Sequence, residues 1–136
     1  MDFPAKLQFL PEMLGFILKA ASESRLDHHL LRKLELASEE VLVNIITHAY
    51  ENQENKYLSV ECRQVGQDDF EVVFQDDGPP FNPIEAIPKV DLTQSIDERP
   101  IGGLGIYLIH KLIDNVIYER KGEKNILAFR LKASIL

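Results

Sequence analysis

The chain holds a single cysteine, Cys62, which rules out an internal disulfide framework and any metal site built from several thiolates. One lone thiol fits a reducing compartment. No uninterrupted apolar run comes near the ~18 residues that a membrane-crossing helix needs. The opening stretch, Met1 to Met13, has neither the basic start nor the apolar centre of a secretory signal. Basic residues are concentrated nowhere. The 15 lysines and arginines are outnumbered by 22 aspartates and glutamates, giving a formal charge of −7, which argues against direct contact with nucleic acid. Repeats, low-complexity tracts and Gly/Ser linkers are also missing. These absences predict a soluble, cytoplasmic protein without a membrane partner. Its 136 residues predict one domain over 1–136, and 45% hydrophobic content is enough to bury a full core.

What is there alternates between helical and strand periodicities. A short strand is expected between Phe3 and Leu10, with Pro4 tolerated at an edge. Pro11 suits the first turn of a helix running to about Ser22. Asp27 is a natural N-cap for a longer helix reaching about Tyr50. Its inner face is expected to carry Leu30, Leu34, Ala37, Val41 and Ile45. Tyr57 to Cys62 and Phe70 to Phe74 alternate as strands and are joined by a turn at Gly66 to Asp69. The stretch from Asp76 to Ile101 is too rich in proline for a regular element. A helix is expected over Gly103 to Ile113, then a hairpin of Val116–Glu119 and Ile126–Leu131 around Gly122. This order predicts an α+β, two-layer sandwich.

Within the second helix one residue breaks the pattern. Asn44 sits in Val41-Leu42-Val43-Asn44-Ile45-Ile46, where a buried amide without partners would cost about 1–3 kcal/mol. Glu40, Asn44 and His48 lie four apart. Each step turns an α-helix by about 400° and climbs roughly 6 Å, so the three form one drifting stripe. A carboxylate, a carboxamide and an imidazole on one side of an apolar helix suggest a site for a hard cation or a phosphate.

Two further segments carry potential chemistry: Asp76-Asp77-Gly78-Pro79-Pro80-Phe81 at a strand end, and Gly102-Gly103-Leu104-Gly105 at a helix start. Taken singly, each has a plain structural explanation. Asn44 can be a core amide bonded to neighbours, Asp-Gly favours a turn, and a Gly pair can end a loop. The glycines also open a helix N-terminus to an approaching anion. They do not make a dinucleotide fingerprint, because the third glycine and the leading strand are missing. A Walker loop fails too, since no Gly-Lys-Ser/Thr follows.

In order and spacing the three segments together resemble the histidine-kinase-like (GHKL) ATPase superfamily, from about Phe3 to Leu131. They correspond to its N-box and two glycine boxes. The runs Glu39 to Tyr50, Asp76 to Pro83 and Gly102 to Ile109 are similar to those of the bacterial anti-sigma-factor serine/threonine kinases. The resemblance implies a Bergerat fold with a mixed, mostly antiparallel sheet, and ATP and Mg²⁺ as ligands. It makes Asn44 the Mg²⁺ ligand and Glu40 the general base, with Glu39 pointing about 100° away on the helix. Asp76 becomes the acceptor for the adenine amino group, Gly78 the residue admitting the base, and Gly103, Leu104 and Gly105 the lining along the phosphates. His48 joins the nucleotide-binding set, and residues 82–101 become a lid that contains Arg99. Asp77 departs from the pattern by adding a second negative charge beside the adenine position.

The implied function is an ATP-dependent serine/threonine protein kinase that is also an anti-sigma factor. Its partners would be a sigma factor and an anti-anti-sigma (STAS-type) protein, the latter as phosphoacceptor, and it would form a homodimer through the N-terminal strand and first helix. The competing expectation is an ATP-binding anti-sigma or regulatory module without kinase activity. A hydrolytic clamp or sensor-kinase fragment ranks behind both.

Overall fold

The computed structural model describes residues 1–49, 54–80 and 109–132, the side chains of residues 48 and 49 excepted. The first element, β1 (Asp2–Pro4), is shorter than expected. Pro4 closes it, and the chain turns at once: the Lys6 N–H donates to the Pro4 carbonyl at 2.8 Å, and a 3-10 turn follows at Leu7–Phe9. Proline has no N–H to continue a ladder, which suits the end of an edge strand.

Helix α1 spans Leu10–Glu23, with Pro11 in its first turn as expected. Its end is unusual. Arg25 adopts the left-handed conformation (φ 66°), and the Leu26 N–H reaches back to the Ala21 carbonyl at 3.5 Å. This is the closing geometry that glycine normally supplies. A side chain in that region costs roughly 1–2 kcal/mol, part of which a more flexible unfolded chain would offset. Arg25→Gly is therefore expected to raise stability by about 0.5–1 kcal/mol, read as a higher urea midpoint with an unchanged slope.

Helix α2 spans His28–Asn44 and is capped by Asp27, whose carboxylate accepts the Leu30 N–H at 2.8 Å. Leu34, Ala37, Val41 and Ile45 are buried as the periodicity predicts, while Leu30 is half-buried. The α-helix does not continue to Tyr50. It gives way at Ile45–Ala49 to one π-helical turn, within which the Thr47 hydroxyl donates to the Val43 carbonyl at 2.7 Å. Ser38, fully buried on α2, has no partner for its hydroxyl among the described residues.

Among the described residues four further strands join the sheet: β2 (Tyr57–Val65), β3 (Asp69–Asp76), β4 (Asn115–Lys121) and β5 (Lys124–Lys132). The order is β1-β2-β3-β5-β4. The sheet, expected to be mixed and mostly antiparallel, is antiparallel at every pairing among the described residues. Gly66 and Gly122 take left-handed φ values of 66° and 63° in the β2–β3 and β4–β5 turns. Residues 109–112 are helical and precede β4.

Strand alternation sorts the sheet into two faces. Facing the helices are Phe70, Val72 and Phe74 of β3, paired with Leu131, Phe129 and Leu127 of β5. They meet Met13 and Ile17 of α1 and Leu34 and Leu42 of α2 in one core cluster. Phe74 and Phe129 pack edge to face with centroids 5.2 Å apart. This is the α+β two-layer arrangement.

The opposite face carries a charged rung across three strands. Glu71 lies opposite Arg63 on one side and Arg130 on the other. Arg63 Nε donates to Glu71 Oε1 at 2.7 Å, and Arg130 Nη2 donates to Oε2 at 2.8 Å. Glu71 is only 3% exposed. Burial pushes its carboxyl upward, but the hydrogen bonds and positive charges of Arg130 and Arg63 outweigh that and hold it below its ordinary value.

Candidate functional site

Glu40 and Asn44 lie one turn apart on the last stretch of α2, and both are half-buried. Their Cβ atoms are therefore about 5–6 Å apart on a shared face. Among the described residues, no hydrogen bond or ion pair reaches either side chain. Asn44 does not meet the penalty of a fully buried amide, since its position keeps access to solvent or to a ligand. The π turn begins immediately after it. Such turns inside helices are frequent at functional sites. The His48 backbone belongs to this turn, and its side chain lies outside the described residues.

Asp76 is the last residue of β3 and is 8% exposed. Its Oδ1 accepts the Gly78 N–H at 2.9 Å and the Asn125 Nδ2–H at 3.0 Å. Among the described residues no donor reaches Oδ2. An ionised carboxylate can accept on both oxygens, so this one is anchored through one and holds the other in reserve. Gly78 is itself buried, and its N–H makes the tight turn back to Asp76. Asp77 points elsewhere: it is 46% exposed, and Lys56 Nζ lies 3.7 Å from its Oδ2. The extra negative charge beside Asp76 thus has a counter-charge at the approach to β2. The remaining site expectations, Gly103, Leu104, Gly105 and the 82–101 lid with Arg99, lie outside the described residues.

Asn125 was not among the expected site residues, yet it lies directly opposite Asp76 in the β3–β5 ladder and is 6% exposed. Its Nδ2 also donates to the Pro79 carbonyl at 2.9 Å, with a weaker 3.4 Å contact to the Gly78 carbonyl. Its Oδ1 accepts the Tyr118 hydroxyl at 2.6 Å and Arg120 Nη1 at 3.2 Å. The alternation of β5 contained the signal. Asn125, Leu127, Phe129 and Leu131 share the inward face, so Asn125 is the one polar member of that row.

The only cysteine plays no part in this chemistry. Cys62 is half-buried in β2, and burial pushes its thiol up to about 11, so it stays protonated at neutral pH.

A half-buried carboxylate beside a carboxamide, and a buried carboxylate with one open acceptor, are the elements of a site for a metal-bound phosphate and an N–H-bearing ring. Serine-protein kinase RsbW of Listeria monocytogenes serovar 1/2a is 27% identical over 119 residues, covering 85% of this chain and 75% of the relative. Serine-protein kinase RsbW of Bacillus subtilis strain 168 is 28% identical over 119 residues, covering 85% and 74%. Among solved structures, Acinetobacter baumannii histidine kinase AdeS matches with a TM-score of 0.56 at 16% identity, over 99% of this chain and 68% of that one. The histidine kinase domain of the Erythrobacter litoralis EL346 blue-light activated histidine kinase gives 0.54 at 18% identity, over 77% and 45%. This chain therefore spans less than half of that structure, and both structural likenesses speak to the fold alone. The sequence model of the histidine kinase-like ATPase domain matches residues 3–131, nearly the whole length. The chain belongs to the histidine kinase-like ATPase domain family.

Proposed function

We propose that this protein is an ATP-dependent serine/threonine protein kinase that doubles as an anti-sigma factor in a partner switch. Its phosphoacceptor would be an anti-anti-sigma (STAS-type) protein. The observation that carries this reading is the pair on α2: Glu40 and Asn44, one turn apart, half-buried and without partners among the described residues. A domain that only bound nucleotide would have no need of an unpaired carboxylate one turn before a metal ligand. The names of relatives aligned over 85% of the chain, each a serine-protein kinase, support the same activity.

The residues present suit ATP and Mg²⁺. Asn44 offers one neutral oxygen, which is enough for an ion that keeps several waters and leans on phosphate oxygens. Asp76 Oδ2 offers an acceptor for the adenine amino group, and the buried Gly78 turn lets the ring approach the backbone. When bound there, ATP would supply the γ-phosphoryl group and Mg²⁺, held by Asn44, would offset the charge of the phosphate oxygens. Glu40 would accept the proton of the acceptor hydroxyl as it attacks. His48, Gly103, Leu104 and Gly105 are assigned to the phosphate side, with residues 82–101 as the lid of a single domain. A homodimer through β1 and α1 and a cytoplasmic location complete the proposal. Among the described residues no helix is long and apolar enough to cross a membrane.

The test combines binding and transfer. Calorimetry with ATP and Mg²⁺ should detect binding, and Asn44→Ala should weaken it about tenfold, in the range seen when metal sites lose support. Incubation with labelled ATP and candidate STAS-type proteins from the same genome should yield phosphoserine or phosphothreonine on one of them. Tight binding with no transfer to any candidate would leave a regulatory binding module. No binding at all would end the nucleotide reading.

A further inference from the structure

The inward face of the sheet ends in a polar row that crosses three strands. Arg120 of β4 lies opposite Asn125 of β5, which lies opposite Asp76 of β3. Behind this row the register is occupied by rings and an aliphatic side chain: Tyr118 faces Leu127, which faces Phe74. Three polar side chains aligned at the end of a hydrophobic sheet demand a use for each.

Arg120 has a specific one. Its Nη1 donates to the Gly78 carbonyl at 2.7 Å and to Asn125 Oδ1 at 3.2 Å. The first bond ties the turn after β3 to an edge strand 42 residues further along the chain. The second, with the Tyr118 hydroxyl at 2.6 Å, fixes which way the Asn125 amide points. With Oδ1 occupied by donors, Nδ2 must face Asp76 and the Pro79 carbonyl. The turn carbonyls at Gly78 and Pro79 are thus held by side chains from the β4–β5 hairpin. Asp76 Oδ1 is occupied, and among the described residues Oδ2 is the acceptor left to present.

We propose that Arg120 is a positioning residue for base recognition: it clamps the Gly78 turn and orients Asn125, so that Asp76 offers a single, fixed acceptor to a ring amino group. This rests on the reading of Asp76 as the adenine contact. Arg120 touches no ligand in this scheme and acts only through Asn125 and the turn.

The test compares ATP with purine riboside triphosphate, which lacks the 6-amino group, each with Mg²⁺, by calorimetry on the full chain. Arg120→Met keeps the half-buried stem and removes the donors. It should weaken ATP binding about tenfold and leave the amine-free nucleotide within about twofold, shrinking the preference between them. Arg120→Lys should fall between. In the ligand-free protein, hydrogen exchange at the Gly78 amide should speed up in Arg120→Met while amides in α1 stay protected. Equal weakening of both nucleotides, an undiminished preference, or unchanged Gly78 protection would overturn the proposal. If Arg120→Met does not fold, Arg120→Lys carries the same comparison. A parent protein that binds neither nucleotide, or binds both alike, removes the adenine reading itself. A parent preference that Arg120→Met retains sinks only the clamp.

Discussion

Glu40→Gln is expected to slow phosphoryl transfer to a protein acceptor by at least ~100-fold, the scale of a lost general base, while ATP affinity stays within about twofold. Glutamine keeps the size and hydrogen-bonding reach of the side chain but cannot take a proton at neutral pH. Because no described residue pairs with Glu40, the substitution should move stability by no more than about 0.5 kcal/mol. That separates a chemical effect from a folding effect. Glu39→Gln is the control: Glu39 is exposed and sits about 100° away around α2, and its variant should transfer at the parent rate. Labelled transfer and calorimetry on the same preparations decide the matter. A Glu40→Gln protein that transferred at the parent rate would move the base elsewhere.

Loss of Glu71 should cost stability instead of activity. Glu71→Gln replaces a buried carboxylate that binds two guanidinium groups. Breaking a buried ion pair costs about 3–5 kcal/mol. Arg63 is 61% exposed and Arg130 36% exposed on their side chains. Both can recover water, so the lower range of about 2–3 kcal/mol is expected. The pH dependence has a definite sign. The folded pKa of Glu71 lies below the free value of 4.5, so the folded state favours the ionised form. Its contribution is complete above the free value and disappears as pH falls through the lowered folded value. Urea midpoints from neutral pH down to about pH 3 should fall more steeply for the parent than for Glu71→Gln. Parallel acid limbs for the two proteins would mean that the rung contributes no linked stability.

The elements governed by periodicity were legible in the sequence. The inner face of α2, the Asp27 cap and both hairpins follow from apolar spacing, a carboxylate before a helix, and glycines at positive φ. Strand ends were not. Phe70 to Phe74 alternates cleanly, yet β3 continues to Asp76 because β5 offers partners as far as Asn125. A ladder ends where its neighbour ends, and local propensity does not record that. The expected strand to Leu10 failed for the opposite reason, since Pro4 stops it after three residues. The π turn at Ile45–Ala49 has no signature in spacing, because one widened turn leaves the apolar pattern almost intact. At the candidate site, Glu40, Asn44, Asp76 and Gly78 were readable as motif members, and the structure describes each of them. Arg120 and Tyr118 were not, because their role depends on register across strands far apart in sequence.

The order β1-β2-β3-β5-β4 also has a consequence for how the chain must assemble. β5 comes after the other four strands in the chain, yet it sits inside the sheet and supplies Phe129, which is fully buried. During synthesis the earlier strands leave the ribosome without the neighbour that closes their hydrophobic side. Contacts of such high sequence separation delay folding until the closing strand is available. A growing chain would therefore expose β3 along a bare edge until that hairpin emerges, and chaperone capture of the nascent polypeptide would fall in that interval.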